Sequence, residues 1–284
     1  MKTMTSFEIS DGALTTLQGY PFPSGLTELW CTENKLTDLQ GCPDSILSLY
    51  CSENKLTSLQ GCPSFLRHLH CADNKLTTLV GCPTTLKSLI CHDNELTTLN
   101  GIPPFLTSLN CSNNKLTSLE GCSPTIELLW CSLNKLTSLR GGPENAYMLD
   151  CSCNELTSLI DCPKNLVDLN CTCNKITSLL GCPDTIMNLD CCENFLTTLT
   201  HCPKFFRTLN CDYLADWNLD NNDLKIKLYN DFGYCVPDFR RITTVPTRRQ
   251  WKRLYQRFYR SSDQYEKEYK CNMVLPLLKI TSPW

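Results

Sequence analysis

Apolar residues recur along this chain in a pattern that is neither the alternation of an ordinary strand nor the three-to-four spacing of a helix. Leucine stands at Leu29 and at each twentieth position through Leu209, cysteine at Cys31 and in step through Cys211, asparagine from Asn34 to Asn194, threonine from Thr37 to Thr197 and leucine again from Leu39 to Leu199. The two cleanest copies read CTENKLTDLQGCP from Cys31 to Pro43 and CSENKLTSLQGCP from Cys51 to Pro63. A fixed period of this kind marks an array in which each unit stacks on the next and none can bury its apolar residues alone. Within a unit, the spacing predicts one short strand around Leu29 to Cys31, with Leu29 and Cys31 facing inward and Trp30 outward, because alternate strand residues point to opposite faces. The remainder of the unit, with Leu36, Leu39 and then Gly41, Cys42 and Pro43, predicts an extended, irregular return, since a period of 20 residues leaves no room for a helix of ordinary length. At about 4.8 Å per strand, roughly ten turns give a rod on the order of 50 Å long with a parallel β-sheet on one face.

The residues Leu26, Leu29, Cys31, Asn34 and Leu36 spell L-x-x-L-x-C-x-x-N-x-L, which resembles the leucine-rich repeat, a sentence with a period of about 20 to 29 residues. The resemblance covers residues 26–213 and implies a repeat solenoid. With Cys at the strand position and N-K-L-T-S-L after it, the repeat is similar to those of the leucine-rich multigene families of giant DNA viruses of amoebae, and more distantly to those of bacterial secreted effectors. Residues 1–25 read as an N-terminal cap carrying a degenerate first repeat, in which Phe7, Ile9, Gly12, Leu14 and Leu17 match Leu29, Cys31, Asn34, Leu36 and Leu39 once an extra Pro-Phe at Pro21 and Phe22 is allowed for. An atypical terminal turn is expected, because the end of a solenoid has no further neighbour to stack on. The Asn column reads as structural: a buried amide both donates and accepts, and can satisfy backbone groups where the chain leaves the strand.

Residues 214–284 do not repeat, and are expected to form a helical C-terminal cap. They suggest a helix around Asn218 to Asn230, a Pro-bounded link near Pro237 to Pro246, and a longer helix from about Thr247 to Lys270 with Thr247 as its N-cap. In the longer helix Trp251, Leu254, Tyr255, Phe258 and Tyr259 make one apolar stripe, while Arg248, Arg249, Lys252, Arg253, Arg257 and Arg260 line the opposite face. Charge divides at the same boundary: Lys and Arg against Asp and Glu count 13 to 21 through residue 213, net −8, and 13 to 8 beyond it, net +5. A basic helix with interleaved aromatics can bind nucleic acid or an acidic surface. The reading preferred is a solvated cap, and with a whole-chain pI near 5.8 no broad footprint for nucleic acid is expected. A ubiquitin-ligase tail, which likeness to the bacterial effectors would imply, needs a domain much larger than these 71 residues.

The chain holds 22 cysteines, a number that in a small secreted protein would signal a disulfide framework. Here seventeen fall in two repeat columns, ten at the strand position and seven at the Cys42 position, where a compact apolar residue packs in a core. One-turn spacing would permit a bond between Cys31 and Cys51, but stacked inward residues carry parallel Cβ vectors, which is poor disulfide geometry. The opening MKTMTSFEIS lacks the apolar run of a signal peptide, and no stretch approaches the ~18 apolar residues of a membrane span. A reducing compartment is therefore expected, either the cytoplasm or a virion assembled there, and not secretion. Cys153, Cys173, Cys192, Cys235 and Cys271 escape the columns; only two or three of these thiols could converge, short of the four ligands of structural zinc, so no metal and no cofactor are expected. His68, His70 and His92 share the outward face and read as contact residues rather than ligands.

No catalytic triad order, phosphate-binding glycine loop or metalloprotease motif is present, and no catalytic residue is assigned. Display on the outward sheet columns then carries the functional expectation. The central column reads Trp30, Tyr50, His70, Ile90, Asn110, Trp130, Asp150, Asn170, Asp190 and Asn210, aromatic and apolar first and acidic and amide later. Leu128 and Met148, then Asp168, Asn188 and Thr208, repeat the division in the column beside it. Rigidly held Trp and Tyr gain large contact area at little entropy cost, so a non-enzymatic scaffold for partner proteins is expected, with Trp30, Tyr50, His70, Ile90, Asn110, Trp130, Asp150 and Asp190 as contact residues. Host proteins or a viral capsid are the candidate partners, the latter making the chain an architectural piece of the particle. A lysine column (Lys35, Lys55, Lys75, Lys115, Lys135, Lys175) beside an acidic one (Glu33, Glu53, Asp73, Asp93, Glu193) predicts opposite charges paired along one rim, worth little in stability.

Overall fold

The computed structural model describes residues 5–9, 12–197, 201–203 and 208–211. Every turn contributes one three-residue strand: β1 Ser6–Glu8, β2 Glu28–Trp30, β3 Ser48–Tyr50, β4 His68–His70, β5 Ser88–Ile90, β6 Ser108–Asn110, β7 Leu128–Trp130, β8 Met148–Asp150, β9 Asp168–Asn170, β10 Asn188–Asp190 and β11 Thr208–Asn210. They form a single eleven-stranded parallel sheet in sequence order. The register is one full repeat at every step, Leu49 beside Leu29 and Tyr50 beside Trp30, for example. Each strand begins and ends one residue earlier than the sequence pattern predicts, so that Cys31 sits just past the end of β2 rather than on it. Cys31 N–H still donates across to Tyr50 O at 2.8 Å, which keeps the thiol column in step with the sheet.

The interior repeats as strictly as the sequence. In the third turn Ile46, Leu49, Cys51, Leu56 and Leu59 are all fully buried. Burying a side chain of this size stabilises by about 1.5–3 kcal/mol, but the burial exists only because neighbouring turns lie on either side. At the first turn no described turn lies on one side, and aromatic rings cover the core there: Phe7, Tyr20 and Phe22 pack together, with Phe7 6.0 Å from Tyr20 and 6.1 Å from Phe22, and lie against the core. Phe22 belongs to the two-residue insertion, so the interruption of the period supplies part of the cap. Phe7 pairs with Leu29 and Ile9 accepts from the Asn34 amide, which is the alignment the degenerate first repeat requires.

The asparagines tie each turn to the one before it. Asn54 Nδ2 donates to Cys31 O at 2.9 Å, to Cys51 O at 3.1 Å and to Ser52 O at 3.0 Å, while its Oδ1 accepts the Leu36 N–H at 2.9 Å. Two of these four partners, Cys31 and Leu36, belong to the preceding turn. The same set recurs from Asn34 to Asn194, and those from Asn34 to Asn174 are buried. Gly12 occupies the equivalent position in the first turn, where no described turn precedes it to be tied.

The return carries no helix among the described residues. It is built from consecutive tight turns, with Cys62 N–H donating to Leu59 O at 3.1 Å and Leu66 N–H to Pro63 O at 3.2 Å. Gly61 sits between them at φ +84°, and a Cβ there would lie 2.6 Å from the Gln40 backbone nitrogen of the preceding turn. Both the left-handed conformation and the close approach of neighbouring turns demand glycine. The expected C-terminal elements, Asn218 to Asn230 and Thr247 to Lys270 with the basic residues Arg248, Arg249, Lys252, Arg253 and Arg257, lie outside the described residues. No helix of the described residues is long and apolar enough to cross a membrane.

All described cysteines are free thiols. Burial holds those of the strand column far from ionisation: Cys31 is pushed up to about 12 from an ordinary value of 9.0, and Cys51, Cys71 and Cys91 are also raised, by burial first and by neighbouring thiols second. In the second column Cys62, Cys162 and Cys202 are pushed up to about 12 by the same desolvation.

Two outcomes follow for stability. Asn94→Ala leaves the Leu76 N–H without its acceptor and takes one amide donor from the carbonyls of Cys71, Cys91 and His92, of which the first two keep Asn74 and Asn114. At about 1–3 kcal/mol for the stranded N–H and about 0.5–1.5 kcal/mol for each lost carbonyl bond, it should cost at least about 2 kcal/mol in urea unfolding, against about 0.5 kcal/mol or less for the exposed Thr97→Ala. A thiol raised on folding stabilises fully below its unfolded value near 9 and loses that contribution as pH climbs towards its folded value, about 12 for Cys31. With many such thiols, the melting temperature should be level from pH 7 to 8 and fall steeply from pH 9 to 11; a flat profile would show that the column ionises as easily folded as unfolded.

Candidate functional site

A strand three residues long, with its middle residue buried, has only its two ends to display. In β2 to β11 the middle leucine is buried at every step, so the flanking residues stand on the outward face of the sheet in two ladders. Trp30, Tyr50, His70, Ile90, Asn110, Trp130, Asp150 and Asp190 all lie in one of these ladders, neighbours in register along the sheet. Trp30 is 39% exposed and the other seven are half-buried.

The upper end of the ladder is a stack of rings. Trp30 and Tyr50 lie 3.7 Å apart between centroids and within 6° of parallel, and Tyr50 meets His70 at 4.6 Å and 54°. One-strand spacing brings adjacent rings to stacking distance, and the sheet fixes their bases, so the aromatic surface is pre-ordered. Partial burial, the Glu28 charge and a hydrogen bond from the phenol to Glu28 all hold the Tyr50 proton on above the ordinary value. Partial burial, and then the neighbouring His68 and His92, hold His70 below 6.5, so its ring is neutral at pH 7 and extends the stack as an apolar group. Trp130 does not join this stack. Ile90 and Asn110 separate it from His70, and it stands with Leu128 and Met148 as a second apolar island in register with Asp150.

Beyond Trp130 the face turns acidic, and its carboxylates are held by neutral donors. Asp150 accepts from the Ser152 hydroxyl at 2.7 Å, Asp168 from the Asn188 amide, and Asp190 from the Thr172 hydroxyl at 2.6 Å and the Asn210 amide at 3.0 Å. Among the strand residues there is no lysine or arginine. The face therefore offers planar rings at one end and oriented negative charge at the other.

Charge on the adjoining edge is arranged differently from the sequence expectation. The ion pairs Lys115–Glu95 and Lys175–Glu155, each 2.8 Å, run along the lysine column, between residues one repeat apart. Among the described residues none joins that column to the acidic one beside it; Asp93 instead meets His92 at 2.5 Å and the Asn113 amide. Residues one turn apart stack side by side, whereas Glu33 and Lys35 flank the buried Asn34 with the backbone reversing between them. The acidic column is in fact a conformational one: Glu33, Glu53, Asp73, Asp93, Asn113, Leu133, Cys153, Cys173 and Glu193 all have φ between 49° and 56°. Its enrichment in Asp and Asn is the only signal in the sequence for a left-handed residue, and Glu, Leu and Cys at the same place mask it.

Among the described residues no group of three or more His, Cys, Asp or Glu is placed to hold a metal ion. Cys192 does not converge with Cys153 and Cys173, its thiol donating to Asn210 Oδ1 at 3.1 Å.

The parallel sheet, the buried Leu and Asn columns and the helix-free return decide the architecture. The fold is that of the leucine-rich-repeat proteins. Solved structures similar to this chain include YopM from Yersinia enterocolitica WA-314, at 30% identity and TM-score 0.53 over 67% of this chain and 48% of that one. The functional domain of InlJ from Listeria monocytogenes, described as including a cysteine ladder, is similar at 26% identity and TM-score 0.52 over 66% of this chain and 49% of that one. The APL1 leucine-rich repeat domain shares the fold at 23% identity and TM-score 0.57, over 67% of this chain and 56% of that one. The chain spans about half the length of these structures. No family model and no curated protein sequence matches it. Similar structures also include YopM from Yersinia pestis, described as a leucine-rich effector protein, and an internalin from Listeria monocytogenes.

Proposed function

We propose that this leucine-rich-repeat solenoid is a non-enzymatic scaffold that docks a partner protein on its strand face. The observation that carries the reading is the pre-ordered ring stack of Trp30, Tyr50 and His70 on that face. A fold has no use for flat aromatic rings exposed along one column while the positions between them are filled by buried leucine, and association gains most where aromatic area is already immobilised. The second apolar island at Trp130, six strands from β2 to β7 inclusive, sets a footprint roughly 25 Å long at about 4.8 Å per step. A footprint of that length suits a folded partner or a long extended segment, and leaves the acidic end at Asp150, Asp168 and Asp190 to select charge and orientation.

Affinity capture with the full chain from expressing or infected cells tests the reading. Trp30, Tyr50 and Trp130 replaced together by Ala should weaken capture of the main partner by 2 kcal/mol or more, about 30-fold, with the circular dichroism and melting curve of the parent. Lys35 and Lys55 replaced by Ala, on the edge, should leave capture unchanged. Capture that survives the triple substitution would move the docking surface off the strand face. Recovery in fixed ratio with a capsid protein from purified particles would assign the partner to a virion and make the scaffold architectural.

A further inference from the structure

Among the described residues, two thiols stand apart from the other cysteines. Cys153 and Cys173 occupy adjacent rungs of the left-handed column at the edge of the sheet, at φ 52° and 56°. No other adjacent pair in that column is Cys. Their backbones are tied together: Cys153 N–H donates to Thr172 O at 2.8 Å and Asn154 N–H to Cys173 O at 3.2 Å. With the same backbone conformation one turn apart, the two side chains project alike, about 4.8 Å from base to base, within the range of about 4.4–6.8 Å spanned by the Cα atoms of a disulfide. The thiols lie within hydrogen-bonding reach of each other, Cys173 exposed and Cys153 half-buried.

The core column has the same spacing and serves as an internal control. Cys151 and Cys171, two residues away from the edge pair, are fully buried, and the Cys151 thiol donates to Asn170 O at 3.4 Å. No oxidant in solution reaches them, and burial keeps both protonated. Spacing alone would make every rung of the core column a candidate, and the thiols of Cys191 and Cys211 also meet, but Cys191 is fully buried; access singles out the edge.

We infer that Cys153 and Cys173 form a surface dithiol, a modification site that takes up small-molecule disulfides by exchange and closes to a reversible bond between two adjacent turns. The Cys173 thiolate attacks one sulfur of the incoming disulfide, forming a mixed disulfide and releasing one thiol. Cys153 then loses its proton to water, attacks the Cys173 sulfur and expels the second thiol. Two protein thiols are oxidised by two electrons, and one small disulfide is reduced to two thiols. The order of attack follows from access. Cys153 is held up at about 11, by burial first and then by the neighbouring Cys173, so it resolves the mixed species once the two sulfurs are adjacent rather than initiating exchange. An exposed bond stays within reach of a reductant in solution, which is what a reversible site requires. The site does not depend on the docking reading and is tested separately from it.

The test exposes the reduced full-length chain to oxidised glutathione at pH 8, quenches with iodoacetamide and measures intact mass and tryptic fragments. The expected result, read on the tryptic fragments, is a cross-linked fragment joining residues 141–164 to 165–175, two hydrogens lighter than the two peptides and without glutathione, since trypsin cuts after Lys164. Dithiothreitol should release it. Cys153→Ser should stop at the glutathione adduct on Cys173, Cys173→Ser should abolish the cross-link and leave Cys153 unmodified, and Cys192→Ser should give the same cross-link as the parent. In the parent chain a stable glutathione adduct on Cys153 or Cys173, a dimer linked through either, no change at either, or a cross-link that persists in either serine variant overturns the proposal.

Discussion

The structure depends on one interaction repeated down its length, the buried asparagine amide that joins each turn to the one below. A three-residue strand makes too few backbone bonds to be stable alone, and the chain must turn sharply at each strand's end, leaving carbonyls and amides inside an apolar core. Asn74 meets that need with four hydrogen bonds, including Leu56 N–H at 2.9 Å and Cys51 O at 3.1 Å in the preceding turn. Replacing it with an apolar residue of the same size would fill the space and strand the backbone. The leucines provide the larger favourable burial, but leucine packing is tolerant of small shifts whereas an amide with four partners is not. The register of β1 to β10 is therefore set by the asparagines and stabilised by the leucines.

This division explains what could be read from the sequence. The columns that do the work of stacking can hold only one or two residue types, so Leu29, Cys31, Asn34 and Gly41 repeat visibly, and the sheet, the inward and outward faces and the helix-free return all follow. Even the degenerate first turn was legible, because Phe7, Ile9 and Leu17 keep the apolar spacing across the two-residue insertion. The column at Glu33 was not. Its left-handed backbone is imposed by the turns on either side, which hold Glu33 N–H on Ser52 O at 3.1 Å, so residues with no preference for that conformation are accepted there. Charge pairing was misjudged for a related reason. Sequence neighbours such as Glu33 and Lys35 suggest a pair, but in a solenoid the nearest side chain is one period away, as Lys115 and Glu95 show.

The same logic separates the display ladder from the scaffold. Residues at the Trp30 position pair in register with their counterparts one turn above and below and stand outside the buried core, so the column can vary without disturbing it. Its identities could be listed from the sequence, but which of them act together could not. Rings at Trp30 and Tyr50 stack almost in parallel, whereas Trp130, of the same residue type in the same column, is isolated from them by Ile90 and Asn110. An exposed ring that already has a stacked neighbour loses less freedom on binding than one that stands alone, so equal residues in the ladder are unequal as anchors.

Cysteine in this chain divides along the same line between scaffold and surface. Where the side chain points inward it serves as a small apolar filler, raised in pKa and out of reach, and its chemistry is suppressed by the burial that makes it useful. At the edge, where the backbone reverses into the left-handed region, the same residue reaches solvent. Cys171 and Cys173 are two residues apart, the first buried and the second exposed, with Cys153 half-buried beside it. Repetition accounts for the first and not for the second: seven other rungs of the edge column manage with Glu, Asp, Asn or Leu. Two adjacent thiols at a position the fold leaves free thus call for an explanation from chemistry rather than from packing.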